Sequence, residues 1–154
     1  MATEIERKYL LKNDSWKQEV SSKNNIVQGY LSSKPERTVR IRITNNKGFV
    51  TIKSKNIGSL RKEFEYEIPI EDAKELILLC EKPIIQKTRY LVEHYSHIWE
   101  IDIFEGENQG LEVAEIELSQ ENEEFSIPDW IGQEVTNESK YYNSQLIINP
   151  FMNW

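Results

Sequence analysis

Along most of this chain charged and uncharged residues alternate one by one, and the charges are sorted by sign. A strand points successive side chains to opposite faces, so strict alternation describes a sheet with one charged face and one apolar face. Segments 3–11, 26–32, 38–44, 49–54, 62–68, 84–92, 98–104 and 111–118 read this way, which predicts eight strands. On the charged face lie Glu4, Glu6 and Lys8, then Arg40 and Arg42, then Lys53 beside Thr51, then Glu63, Glu65 and Glu67. Lys87 and Arg89, Glu100 and Asp102, and Glu115 and Glu117 follow in the later strands. Short turn signals such as Asn45-Asn46-Lys47-Gly48 make neighbouring strands antiparallel. One helix is expected over 71–81, opened by Glu71 and Asp72, carrying Ala73, Leu76, Ile77 and Cys80 on one stripe, and stopped before Pro83. Shorter helices are expected over 14–21 and 138–146.

An open sheet with one wet face also alternates. Such faces mix Ser, Thr and Gln with the charges, whereas here nearly every position is fully charged, and like charges two residues apart repel. Closing the sheet with this face inward resolves the oddity. Eight strands suffice for a barrel with a small interior, and closure removes the exposed edges. Charges inside must be paired, hydrated or bound to ions. Converging bases suit phosphate oxygens and converging carboxylates suit hard divalent cations, so the two together suit a metal-bridged polyphosphate. The opposite face then points outward: Ile41, Ile43, Ile52, Phe64, Tyr66, Ile101, Ile103 and Ile116 are more than a few short helices can cover, and a homodimer is expected.

Composition narrows the remaining classes. The 154 residues carry 19 Lys and Arg against 26 Asp and Glu, a net charge of −7. That balance excludes non-specific nucleic-acid binding. No apolar run is long enough to span a membrane, the acidic N-terminus is unlike a secretory signal, and Cys80 is alone, so a cytoplasmic protein without disulfides is expected. Residues 1–154 read as a single domain. His94 and His97 flank a turn without a third ligand and read as loop residues.

The ordered set Glu4-x-Glu6-x-Lys8, Arg40-x-Arg42, Lys53 in TIKS, Glu65-x-Glu67, Lys87-x-Arg89, Asp102 in EIDIF and Glu115-x-Glu117 resembles the CYTH group of triphosphate tunnel metalloenzymes. The resemblance implies a mainly β fold: a closed eight-stranded antiparallel barrel forming a charged tunnel, with a few peripheral helices. It implies a metal-dependent triphosphatase using Mg2+ or Mn2+, two ions being expected. Lys8, Arg40, Arg42, Lys53, Lys87 and Arg89 would grip the phosphates, and Lys140, where the family often has Arg before Tyr, would join them. Glu4, Glu6, Glu65, Glu67, Asp102, Glu115 and Glu117 would hold metal, with Glu63 able to replace one of the middle pair. Glu4, Glu6, Lys8 and Lys87 would be the catalytic core, with one of Glu4 and Glu6 positioning the water for in-line attack. The short bacterial branch that begins with EIERK favours inorganic tripolyphosphate. Class IV-type adenylate cyclases tend to carry a His-Phe pair before the first motif, where this chain has residues 1–3 alone. A nucleotide-directed member (adenylate cyclase, ATPase or thiamine triphosphatase) and a non-catalytic polyphosphate-binding barrel are the alternatives.

Overall fold

A computed structural model describes residues 3–154, so the segment before the first motif lies mostly outside the described residues. The strands are β1 (Thr3–Leu11), β2 (Val20–Ser32), β3 (Arg37–Thr44), β4 (Lys47–Ser54), β5 (Leu60–Ile68), β6 (Ile85–His94), β7 (His97–Phe104), β8 (Glu112–Glu117) and β9 (Ile131–Glu134). Two helices accompany them, α1 (Ile70–Leu79) and the single turn α2 (Asn143–Leu146). The sheet order is β5-β4-β3-β2-β6-β7-β8-β1-β9, all pairs antiparallel, and β5 also pairs with β1. That last pairing, Thr3 opposite Lys62, Glu4 opposite Arg61 and Ile5 opposite Leu60, closes β1–β8 into the expected eight-stranded barrel.

The turns obey local backbone preferences. Asn45 and Asn46 both have positive φ, 51° and 62°, as the two-residue loop between β3 and β4 requires. Gly48, just past that loop, is buried under α1. A Cβ there would lie 2.4 Å from the Cβ of Ala73, so no larger residue fits without lifting the helix. Gly48→Val is expected to cost about 1–3 kcal/mol through overpacking, read as a lowered urea midpoint.

Several expected bounds move. The helix expected over 14–21 shrinks to a 3-10 turn at Ser15–Glu19, because Val20 to Asn25 are taken into β2 by pairing with β6. The helix expected over 138–146 breaks at Tyr142, whose backbone is extended, into a 3-10 turn (Ser139–Tyr141) and α2. β9, four residues long, pairs with Tyr9 and Leu11 of β1 outside the barrel; a strand so short shows no periodicity in the sequence.

The outward apolar face is better covered than the alternation suggests. Ile41 is buried beneath α1, against Ala73 of that helix and Cys80 just past its end. Ile101 and Ile116 are buried with Trp16, Trp99 and Trp130 beneath β9, the Ser15–Glu19 turn and segment 119–130. Ile43 and Ile103 are half-buried. The residues left open are Ile52, Phe64 and Tyr66 on β4 and β5, so the exposed apolar strip is smaller than expected.

Glu123 fastens segment 119–130. Its carboxylate accepts from the Ser119 backbone N–H and hydroxyl and meets His97 Nε2 on β7. These hydrogen bonds, Ser119 first, hold its carboxyl down to about 2. A depressed acid stabilises the fold above its ordinary titration range, and that contribution is lost as the pH falls through that range toward the folded value. The melting temperature of Glu123→Gln should therefore lie below wild type at neutral pH, with the gap closing toward pH 2; a gap independent of pH removes this role.

Candidate active site

Alternation on eight closed strands gathers the charged face into one interior cavity of about 210 Å³. Seven carboxylates (Glu4, Glu6, Glu63, Glu65, Glu100, Glu115, Glu117) and seven cationic side chains (Lys8, Arg40, Arg42, Lys53, Arg61, Lys87, Arg89) line it. The interior is not charged throughout. Leu10, Tyr30, Ile85, Phe104 and Val113, on the same inner faces, form an apolar cluster with Val135, Tyr141, Leu146 and Ile147 from beyond the barrel strands. The C-terminal segment thereby packs into the barrel and brings Tyr142, Asn143 and Ser144 to the cavity wall.

Acids and bases are interlocked. Lys8 Nζ lies 3.2 Å from Glu115 and donates to the Tyr141 carbonyl at 3.2 Å. Lys53 Nζ reaches Glu4 at 3.1 Å and Glu63 at 3.4 Å, and Arg61 Nε reaches the same Glu4 at 3.1 Å. Arg40 pairs with Glu65 at 3.3 Å and with Thr51, which itself donates to Glu65 at 2.8 Å. Asp102, fully buried behind the wall, takes Arg89 through Nε at 2.8 Å and Nη2 at 2.9 Å, and Lys87 at 2.8 Å. Lys87 also donates to Asn143 Oδ1 at 2.9 Å, the atom that accepts from Gln28. Gln28 in turn accepts from Arg42 Nε at 2.8 Å.

Two regions of opposite crowding result. Arg42 has no carboxylate within ion-pair distance among the described residues, and burial together with Arg40 and Arg89 pushes its guanidinium down to about 9. Lys87 is pushed down to about 7, by burial first and then by Arg89 and Arg42 against the pull of Asp102. Glu6 is the counterpart: burial, Glu115 and Glu4 raise its carboxyl to about 8. Against the effect of burial, Lys53 and Arg61 hold Glu4 low, Lys8 and Arg89 hold Glu115 well below the carboxylate range, and Arg89 and Lys87 do the same to Asp102. Cations thus crowd around Arg42, and carboxylates crowd around Glu6, where Lys8, Lys53 and Arg61 are paired with them.

Most expected site residues meet here, with three displaced. Glu67 lies past the end of the cavity, exposed, so that β5 contributes Glu63 and Glu65. Lys140 is also exposed and does not line the cavity: its Nζ sits 4.6 Å from the Trp154 ring centroid. Asp102 stands behind the wall with both oxygens engaged by Arg89 and Lys87. Residues unanticipated as candidates are Arg61, Glu100, Gln28 and Tyr142 to Ser144. Arg61 shares the i, i+2 row of Glu63, and starting β5 two residues earlier would have exposed it. Glu100 sits on the charged row already read, whereas Asn143 gives no sequence signal at all.

The donors fit a hard cation. Every acid lining the cavity offers carboxylate oxygen, and the mutual crowding of Glu4, Glu6 and Glu115 is what a divalent ion relieves. Among the described residues no three acidic, His or Cys side chains are already drawn together at metal-binding distance, since most are held by bases.

The sequence model of the CYTH domain matches residues 2–146. An inorganic triphosphatase of Acetivibrio thermocellus is 45% identical over 157 aligned positions, covering 100% of this chain and 99% of the relative. An inorganic triphosphatase of Nitrosomonas europaea is 31% identical, covering 96% and 98%. The crystal structure of an inorganic triphosphatase superposes with a TM-score of 0.67 at 31% identity, covering 96% of each chain.

Proposed function

Since this chain belongs to the CYTH domain family, we propose that it hydrolyses inorganic tripolyphosphate to pyrophosphate and orthophosphate within the barrel cavity. The observation that carries this is the cavity lining: seven carboxylates and seven cationic side chains face one space, with Arg42 lacking a carboxylate partner on one side and Glu4, Glu6 and Glu115 crowded together on the other. Glu4, Glu6, Glu63, Glu65, Glu115 and Glu117 would hold divalent metal, Mg2+ or Mn2+, as one or two ions. When bound, the metal supplies Lewis-acid polarisation of phosphate oxygens and activates water.

The side chains supply the rest. Arg40, Arg42, Lys87 and Arg89 bind non-bridging oxygens, neutralising charge on the transferred and leaving groups and holding the chain in line. Lys8 and Lys53 stand at the border of the two sides and orient the terminal phosphoryl group. Water attacks the terminal phosphorus as the bond to the bridging oxygen breaks, and the water proton passes to a Glu6 oxygen. Glu6 suits this better than Glu4, because burial first, and then Glu115 and Glu4, raise its proton affinity, whereas Lys53 and Arg61 occupy Glu4. Asp102 positions Lys87 and Arg89 instead of meeting metal directly.

Phosphate release from tripolyphosphate, ATP and thiamine triphosphate, each with Mg2+, Mn2+ or chelator, tests the whole reading. Fastest turnover of tripolyphosphate, abolished by chelator, is expected. Preference for ATP would transfer the assignment to a nucleotide-directed enzyme, and anion binding without turnover to a non-catalytic barrel.

The exposed strip of Ile52, Phe64 and Tyr66 supports a homodimer, which sedimentation at low concentration would test. No helix among the described residues is long and apolar enough to cross a membrane; the free buried thiol of Cys80 suits a reducing compartment, and residues 1–154 are read as one domain.

A further inference from the structure

We infer, on the metal-binding reading above, that Arg61 is the resident counter-ion bridging Glu4 and Glu6, beside the Lys53 that pairs with Glu4 but not Glu6, and that a divalent cation must displace the Arg61 bridge to bind both carboxylates. Arg61 faces Glu4 directly across the β1–β5 seam that closes the barrel. Its Nε lies 3.1 Å from Glu4 Oε2 and its Nη2 lies 3.7 Å from Glu6 Oε1, so one guanidinium spans both carboxylates. These are its only side-chain polar partners among the described residues. Arg89 differs, because its main partner Asp102 stands outside the cavity lining.

The planar fork of an arginine matches carboxylate oxygens, and a divalent ion uses the same lone pairs. Both cannot be served at once. The metal affinity measured is then the intrinsic affinity reduced by the fraction of molecules in which Arg61 has let go. In return, Arg61 keeps two like charges from splaying apart while no metal is present. Arg61 is a positioning residue in this account, acting through the two glutamates.

Binding of Mn2+ to the full chain without substrate, followed by the electron paramagnetic resonance signal of the free ion, tests this independently of turnover. Arg61→Gln should tighten Mn2+ binding about tenfold, and Arg61→Lys, which keeps the charge but loses the fork, should fall between. Arg42→Gln makes the same change of charge in the same cavity without touching Glu4 or Glu6, and should change affinity much less. Equal affinity in wild type and Arg61→Gln overturns the inference, as does an equal gain in Arg42→Gln, which would reduce the effect to net charge. Either result leaves the carboxylate metal site standing, whereas no Mn2+ binding to any variant overturns that site as well. If Arg61→Gln fails to melt cooperatively, Arg61→Lys decides, and an affinity indistinguishable from wild type then refutes the displacement.

Discussion

Arg42→Ala is expected to lower kcat/KM for tripolyphosphate by about 10²–10⁴ while leaving the melting temperature unchanged or raised. The two halves of that expectation have one cause. Arg42 is held by a neutral partner, Gln28, and its charge is disfavoured by burial first and then by Arg40 and Arg89. A cation pushed down to about 9 weakens the folded state at every pH at which it is charged, and this penalty disappears only as the pH rises from about 9 toward its ordinary value. Removing the guanidinium therefore removes a repulsion from the resting protein and an attraction from the substrate complex. Arg42→Lys keeps the charge but not the bidentate geometry, and should recover part of the rate. Phosphate release with each variant, alongside melting curves, checks both halves. Activity of Arg42→Ala within a few-fold of wild type would remove Arg42 from the site.

Asp102→Asn should behave in the opposite manner, losing stability before anything else. Asp102 is the anion on which Lys87 and Arg89 converge, and all three are largely shut away from water. Taking away its charge leaves two buried cations facing each other, at a cost of about 3–5 kcal/mol in denaturant unfolding. The sign with pH follows: because the folded carboxyl is held below its ordinary range, its contribution is present above that range and disappears under acid. Pairing Asp102→Leu with Lys87→Met should return part of the loss, since an apolar pair leaves one fewer cation unbalanced; the double mutant should be more stable than the sum of the single changes predicts. If Asp102 were a direct metal ligand, Asp102→Asn would melt normally without metal and fail in Mn2+ binding. That outcome would restore the role expected from the sequence.

The facing of the charged rows is legible in the sequence alone. Arg40 and Arg42, Lys87 and Arg89, and Glu115 and Glu117 were placed on one face by strand geometry alone. Position along the barrel is not legible in the same way. Glu67 follows the same alternation as Glu63 and Glu65 but sits farther along the strand, past the end of the cavity. Lys140 was assigned by resemblance, but the break of the helix at Tyr142 leaves it outside, against Trp154. Arg61 shares the alternating row of Glu63, but that β5 extends back to include it is decided by pairing with β1, more than fifty residues away.

What the sequence by itself determined is which face each residue occupies, because alternation comes from the covalent geometry of an extended chain and needs no partner. Tertiary structure alone decided depth along the barrel, and with it which charges meet. Depth depends on the stagger between strands and on where β1 meets β5, and both are settled by contacts between distant segments. The same contacts drew Tyr141, Leu146 and Ile147 into one end of the barrel, placed Asn143 against Lys87, and set Arg61 between Glu4 and Glu6. A row of charges was therefore readable from local order, whereas the ion pairs it forms required closure of the barrel.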